Sequence, residues 1–456
     1  MHVRFSTLVG CAAAAALALV APAAHATRSP GPAAGTQHFT GALPDGATWV
    51  GDLPANWNGT LVLYSHGFGT LNPVDSPNAA TQSALLQEGY ALVGSSYAGP
   101  SLWAVASAPA DQFAALAAMK KLTGRPNQVL AYGTSMGGLI SSLEDERANG
   151  RIDGALTTCG LLGGGVNLNN YQLDGEYAIA RLLAPGQDIK LVDYASPAEA
   201  STAAAQLKAA VVAAQQTPEG RARISLAAAL LNTPDWFAGD NPPRSAVEQE
   251  LQQEQWLEIQ IGFVVGARPS IEQAVGGNAS WNAGVDYDSL LQQSAQYRTV
   301  KSLYRAAGVN LSTDLRNLTS HADIYPDVAA LKRLSKTAVP SGRLQVPELT
   351  LHTISDQLAP VSFENWYRDR VQQAGRSTLL RQAYVKSIGH CSFSPSEIVA
   401  GLKSLQQRVS SGYWPATSAA ALNARAQAGG LGAGRFVNFA PPTFVNARGF
   451  AGWPRG

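Results

Sequence analysis

The chain has 456 residues, of which 46% are hydrophobic and 14% charged, and its formal net charge is +1. This composition predicts a large buried core and excludes an intrinsically disordered chain. The near-neutral charge, without a basic tract, excludes nucleic acid as a main partner. The length favours one large domain with an insertion, or two domains.

The first 26 residues have the pattern of a secretory signal peptide. Arg4 supplies a positive charge, the apolar run LVGCAAAAALALVAPAA follows, and the tripeptide AHA at 24–26 provides a cleavage site of small residues. This run is too short for a membrane anchor, and no other long apolar run follows it. We therefore expect an extracellular or periplasmic protein without a membrane anchor.

Between residues 50 and 165, apolar strand-like runs alternate with segments of helical spacing. The strand-like runs are GTLVLYSHG, ALVGSSY, NQVLAYG and IDGALTTCG. One helical segment, DQFAALAAMKKLTG, begins with Asp111 as the expected N-cap and stops at Gly124. The alternation predicts an α/β fold with a mostly parallel central sheet flanked by helices. In such sheets the chemistry gathers at the carboxyl ends of the strands.

The rest of the chain falls into further segments. Helical patterns such as SAVEQELQQEQWLEIQIGF replace the strand-like runs after about residue 165, which predicts a helical cap inserted into the fold. Strand patterns then resume with VPELTLHTISD and LLRQAYVKSIGHC, and the last residues are rich in Ala, Gly and Pro with aromatics that favour packing. The predicted segments are a signal peptide (1–26), a first core part (27–165), a helical cap (166–342), a second core part (343–412) and a tail packed on the core (413–456).

The motif GTSMG, Gly133 to Gly137, follows a predicted strand and precedes a predicted helix. A sharp turn at this place lifts Ser135 out of the backbone, and the residues two before and two after it must be small. The N–H of Met136 then lies at a helix N-terminus, where the dipole favours negative charge. The alternative is a tight turn with an incidental serine. The strand and helix on either side favour a nucleophile.

A serine hydroxyl needs a base to take its proton and an acid to orient that base. His390 follows the last predicted strand and precedes the last helix, so it is the best-placed base. Asp356 lies between Ser135 and His390 in the chain and follows a predicted strand, and Asp174 is the reserve acid. The remaining histidines of the mature chain are expected in packed or surface positions: His38, His66, His321 and His352.

Acyl transfer also needs N–H donors for the developing oxyanion. Met136 N–H is one expected donor. The other expected donor is the N–H of Phe68, in the loop formed by the SHGFG segment, and Gly67 is the neighbouring alternative. Gly67 and Gly69 allow that backbone to approach a substrate closely. His66 is expected to be a structural residue of this loop.

The motifs SHGFG, YGTSMGG, SDQLAP and GHCSF occur in the order that the α/β-hydrolases show. The chain resembles the secreted bacterial serine hydrolases of that superfamily that carry a large helical cap. This resemblance covers roughly residues 50–165 and 342–410 and implies an α/β-hydrolase fold with the triad Ser135, Asp356 and His390. The pair His390-Cys391 also resembles tannases and feruloyl esterases, but Thr134 stands where those enzymes have their second cysteine.

Cys159 and Cys391 are the two cysteines left after signal cleavage. In an exported protein they favour a disulfide, which would tether the histidine loop to the sheet. The alternative is two separate buried thiols.

We expect a serine hydrolase that cleaves a carboxylic ester through an acyl-enzyme, acting on a small or oligomeric ester without metal or cofactor. The alternatives are a serine exopeptidase or amidase, an acyltransferase, and a non-catalytic binding protein on the same fold. For an exopeptidase, the candidate acids that would bind the substrate amine lie in the helical cap and are Glu250, Glu254 and Glu258.

Overall fold

The computed structural model describes residues 35–448, so the expected signal peptide and Cys11 lie outside the described residues. Nine strands form one sheet in this part of the chain. Their bounds are β1 Gln37–Ala42, β2 Thr48–Leu53, β3 Thr60–Ser65, β4 Ala91–Ser95, β5 Gln128–Thr134, β6 Gly154–Thr158, β7 Glu348–Ser355, β8 Leu380–Ile388 and β9 Phe436–Val437.

The strand order is β1-β2-β4-β3-β5-β6-β7-β8-β9. Strands β4, β3, β5, β6, β7 and β8 run parallel, while β1, β2 and β9 pair antiparallel at the two edges. The apolar, buried strands of the centre have the composition expected of a parallel sheet covered on both faces. The expected α/β class is therefore confirmed.

Helices follow most strands. Those packed with the sheet are α1 Ala79–Gln87, α2 Ala108–Thr123, α3 Met136–Glu146, α12 Ser362–Gln373, α13 Pro395–Ser411 and α14 Ala419–Ala428. Eight more lie between β6 and β7 and form what we call the helical insertion: α4 Gly164–Leu183, α5 Pro197–Ala214, α6 Pro218–Leu230, α7 Ala246–Val275, α8 Tyr287–Gln293, α9 Tyr297–Ala307, α10 Leu311–Ser320 and α11 Val328–Thr337. Within residues 35–448, no helix is both long and apolar enough to cross a membrane.

The start of helix α2 differs from the one predicted from the sequence. Helix α2 begins at Ala108 after Ser107, so Asp111 is not its N-cap but lies in its first turn. There the carboxylate of Asp111 accepts a hydrogen bond from the backbone N–H of Ala98, 2.8 Å away. The earlier start is compatible with Pro109, because proline is well tolerated in the first helical turn.

Apolar packing joins the helical insertion to the sheet layer. One continuous cluster of buried side chains contains Leu139 of α3, Leu168 of α4, Leu207 of α5 and Ile261 of α7. Helix α3 begins directly after Ser135, so the same cluster that holds the insertion also holds the helix that starts at the candidate nucleophile.

Candidate active site

Ser135 occupies the turn between β5 and α3 with a left-handed backbone conformation, φ 61°. The turn is tight enough to exclude side chains on either side. A Cβ added to Gly133 would lie 1.9 Å from the carbonyl oxygen of Gly137, and one added to Gly137 would lie 1.8 Å from the carbonyl oxygen of Ser65. The glycines of the GTSMG motif are therefore required by backbone contact.

Three side chains from three strand ends meet at this turn. The Nε2 atom of His390 lies 2.7 Å from the Oγ atom of Ser135, and its Nδ1 atom lies 2.8 Å from Oδ2 of Asp356. This is the geometry by which a base and an acid activate a serine hydroxyl. The structure thus brings together the three residues that the sequence analysis selected.

Asp356 is held in place as well as paired. Its Oδ1 atom accepts hydrogen bonds from the backbone N–H groups of Leu358 and Ala359, each 2.9 Å away. Burial alone would raise the pKa of Asp356, but the nearby charge and hydrogen bond of His390, with His352 and the Ala359 N–H, bring that pKa below its ordinary value. Asp356 is therefore a carboxylate that can stabilise a protonated His390.

The loop after β8 that carries His390 is anchored at several points. The backbone N–H of Gly389 donates to the carbonyl oxygen of Ser355, 2.7 Å away, and that of His390 donates to Oε1 of Gln357. Cys391 is joined to Cys159, just past the end of β6, by a disulfide. These contacts tie the histidine loop to the ends of β6 and β7.

The loop after β3 passes directly against the serine. A Cβ added to Gly67 would lie 3.2 Å from the Cβ of Ser135 and 3.3 Å from the carbonyl oxygen of Thr134. The backbone of the next residue, Phe68, is therefore next to the site, as expected for an oxyanion donor. The other expected donor, Met136, is the first residue of α3, where backbone N–H groups lack partners within the helix.

His66 supports this loop from behind. Its ring stacks on Tyr97 with 4.1 Å between ring centroids, and its Nδ1 lies 2.8 Å from the carbonyl oxygen of Gly67. The hydroxyl of Tyr97 donates to the carbonyl oxygen of His66. Burial lowers the pKa of His66, so the ring is neutral at physiological pH. It has the structural position that the sequence analysis expected.

A buried polar network holds the end of β3 below the loop. The hydroxyl of Ser65 donates to Oε1 of Glu144 in α3, 2.8 Å away. Gln112 of α2 donates to the same hydroxyl and to the carbonyl oxygen of Tyr64. Helices α2 and α3 are thereby fastened to the strand from which the loop at 66–69 emerges.

The other candidates from the sequence lie elsewhere. Asp174 is buried in α4 and accepts hydrogen bonds from Tyr287, Asn446 and Arg448, so it is committed to the helical insertion and the tail. The remaining histidines are paired away from the serine: His38 with Asp52, His321 with Asn317 and His352 with Thr353.

The three acids proposed for amine binding all lie on α7. Burial raises the pKa of Glu250 to about 7. Burial and a hydrogen bond with Glu258 raise that of Glu254 to about 7. Glu250 is buried, whereas Glu258 is exposed. These acids therefore do not form one exposed anionic site.

Two neighbours of the candidate triad were not predicted from the sequence. Gln357 accepts the hydrogen bond from the backbone N–H of His390, and its position directly after Asp356 in SDQLAP was the available signal. Trp256 of α7 lies beside Gly389, since a Cβ added there would be 4.0 Å from its ring. No sequence pattern links Trp256 to the histidine loop, because the contact joins residues far apart in the chain.

One cluster of metal-ligand atom types coincides with the site. Ligand atoms of Cys159, His390 and Cys391 lie within 4.8 Å of one another. Both sulfur atoms belong to the disulfide, and both ring nitrogens of His390 contact the triad partners. These residues therefore do not fit a metal ion.

Comparisons with known proteins gave one curated relative. The chain is 29% identical over 423 residues to the o-phthalyl amidase of Xanthobacter agilis, covering 86% of this chain and 91% of the relative. No family model matches the chain. The relative supports a hydrolase as the general class.

Solved structures gave looser similarities. The chain is similar to feruloyl esterase B from Aspergillus oryzae, with a TM-score of 0.39, 13% identity and coverage of 83% and 81% of the two chains. It is also similar to brefeldin A esterase, with a TM-score of 0.35, 14% identity and coverage of 86% and 77%. Because both TM-scores are low, the fold is assigned from the features of this chain itself.

Those features agree with one another. The sheet is parallel in its centre, Ser135 stands on a sharp turn between β5 and α3, and Asp356 and His390 follow β7 and β8 in the order of the α/β-hydrolase fold. On these grounds the chain has the α/β-hydrolase fold.

Proposed function

We propose that this chain is an exported serine hydrolase that cleaves a carboxylic ester through an acyl-enzyme. The observation that carries the proposal is the chain of contacts from Ser135 Oγ to His390 Nε2, 2.7 Å, and from His390 Nδ1 to Asp356, 2.8 Å. The proposal includes the expected helical cap, which the helical insertion would form. A disulfide is compatible with an extracellular location.

The reaction has two halves. The Oγ of Ser135 bonds to the carbonyl carbon while its proton passes to Nε2 of His390, and the N–H groups of Met136 and Phe68 stabilise the negative carbonyl oxygen. The carbon–oxygen bond then breaks, and His390 gives the proton to the leaving alcohol. Water next attacks the acyl-enzyme, losing its proton to His390, which returns it to Ser135 as the acid leaves.

Amide hydrolysis is the second candidate, favoured by the name of the curated relative. The same residues serve both reactions, since an amide passes through the same acyl-enzyme. An ester is the easier substrate because an alcohol leaves more readily than an amine. The easier departure of an alcohol favours esters, and the name of the relative supports a direct comparison with an amide.

The test is hydrolysis of 4-nitrophenyl acetate beside 4-nitroacetanilide, which share the acetyl group. We expect the wild type to cleave the ester, and Ser135→Ala to lower kcat by about 10⁴-fold or more, because the nucleophile is lost. Ser201→Ala, on the exposed face of α5, is the matched control. A wild type that cleaves the anilide faster than the ester would favour the amidase, and full activity in Ser135→Ala would exclude the mechanism.

A further inference from the structure

Helix α7 contacts the histidine loop at one point and the loop after β4 at another. At one end, Trp256 lies beside Gly389 in the histidine loop. At the other end, Ser270 accepts a hydrogen bond from the hydroxyl of Ser101 and another from the backbone N–H of Trp103, in the loop after β4. The residues between these two contacts therefore lie along the helix between the histidine loop and the β4 loop.

Two large apolar side chains lie in this middle stretch. Ile259 is 48% exposed and Phe263 is 45% exposed. The ring of Phe263 meets that of Phe68 edge to face, with 6.0 Å between centroids. Phe68 follows Gly67, where an added Cβ would lie 3.2 Å from the Cβ of Ser135. Apolar side chains left open beside a candidate nucleophile are typical of a ligand site.

The face of α7 that these residues occupy is uncharged. With about 100° of rotation per residue, Ile259 lies about 40° from Phe263 around the helix, whereas Glu258 and Glu254 lie about 140° and 180° away. The two carboxylates therefore point away from Phe68. The face of α7 that carries Ile259 and Phe263 therefore suits a neutral apolar group.

The position of the proton donor, His390, indicates which part of the substrate would contact Phe263. The leaving group must lie on the side of His390, because Nε2 returns a proton to it. On α7 that side is marked by Trp256. The acyl group lies on the side of the carbonyl carbon away from the leaving group, and the rings of Phe68 and Phe263 are the apolar groups that we assign to it.

We propose that Phe68, Ile259 and Phe263 form the acyl subsite and that it takes a neutral aromatic or branched apolar acyl group. This inference rests on the proposed function, because it assumes that Ser135 is acylated. The edge-to-face arrangement leaves ring surface of Phe263 available, and aromatic groups pack well in that geometry.

The test varies the acyl group at a fixed leaving group. We expect Phe263→Ala to lower the ratio of kcat/KM for 4-nitrophenyl benzoate over 4-nitrophenyl acetate by about tenfold, since it removes contact with the ring only. Val247→Ala is the matched control, because Val247 is an exposed apolar residue of the same helix, about 24 Å along its axis from Phe263. It should leave the ratio unchanged.

Two further measurements separate the possible failures. With the acetyl group fixed, the ratio for phenyl acetate over ethyl acetate should be the same in wild type and Phe263→Ala. A change there, with an unchanged benzoate ratio, would assign Phe263 to the leaving group and overturn the acyl subsite.

Binding can be measured without turnover. In the Ser135→Ala background, we expect Phe263→Ala to weaken binding of methyl benzoate about tenfold by ligand-observed NMR. Equal binding would overturn the subsite. Loss of binding together with an inert wild type would show that Phe263 binds an apolar group, but it would reject both the proposed hydrolase and the acyl role of the subsite.

Discussion

Three residues at the site, Ser135, Cys159 and Cys391, have positive φ angles without being glycine, at 61°, 45° and 57°. Such conformations cost free energy and persist only where the surroundings hold them. Here the disulfide holds two of them, and the backbone N–H of Ser135 donates to the carbonyl oxygen of Thr158, 3.0 Å away. Local strain and the proposed chemistry thus coincide at the same few residues.

Asp356→Asn tests the role of the acid at this scale. The asparagine Oδ1 can still accept from Leu358 and Ala359, so the loop should fold. Its amide N–H₂ would face His390 Nδ1 and favour the wrong tautomer of the ring, so we expect kcat to fall by about 10⁴-fold. Ester hydrolysis by the purified variant checks this. A loss below tenfold, with unfolding unchanged, would remove Asp356 from the proposed triad.

At the scale of elements, the strands and the motif turn were predictable and the helical insertion was only partly so. Short apolar runs such as β3 and β5 predict buried parallel strands. The strand–turn–helix at Ser135 can likewise be predicted from residues that are neighbours in the chain. Helix α12, with the sequence SFENWYRDRVQQ, was missed because its mean composition is polar and its buried side is short. Helix α7 continues through Pro269 to Val275, beyond the segment that its sequence pattern marked.

The contacts that complete the site are tertiary and leave no local pattern. Trp256 reaches Gly389, and Phe263 reaches Phe68, across large separations in the chain. The candidate triad was accessible from sequence because each member lies within two residues of the end of a strand. The apolar side of α7 was not, because periodicity alone does not tell which exposed residues face a site.

Helix α3 carries a buried acid whose titration should affect stability. Burial raises the pKa of Glu144 to about 8, although the hydrogen bond from Ser65 and the charge of Arg147 act in the opposite direction. The folded protein therefore keeps a proton that the unfolded chain releases near its ordinary pKa. The stabilisation that this bound proton gives the folded state is complete below about pH 4.5 and is lost as the pH rises toward about 8.

We therefore expect the melting temperature of the wild type to fall more between pH 5 and pH 8 than that of Glu144→Gln, in which this group cannot ionise. Thermal unfolding at a series of pH values measures the difference, with Glu219→Gln on the surface of α6 as the control. Asp145, whose pKa burial also raises to about 8, leaves part of the slope in the variant. Parallel profiles for wild type and Glu144→Gln would contradict the assignment.

For the whole molecule, the disulfide joins positions 232 residues apart. In the chain-entropy description a loop of this length stabilises the folded state by up to about 5 kcal/mol. Cys391 also follows His390 directly, so loss of the bond should reduce kcat as well as the melting temperature. Unfolding and ester hydrolysis, each with and without a reductant, measure both effects.

The double variant Cys159→Ser/Cys391→Ser supplies the control, because a reductant should not change it further. A reduced wild type with an unaltered melting temperature and kcat would show that the bond is dispensable.

The tail also connects distant parts of the molecule. Arg448 and Asn446 both donate to Asp174 in α4, while Phe444 packs against Tyr171 and Phe363. The last described residues of the chain thus link the helical insertion to α12 of the sheet layer.

The Cys159–Cys391 bond has a topological consequence. It closes a covalent ring that contains the helical insertion, Asp356 and His390, with Ser135 on the arm just before it. A single peptide-bond cut anywhere in that ring makes two polypeptides but leaves one covalently joined molecule. After a first proteolytic cut within that ring, the serine and its proposed partners would therefore stay tethered.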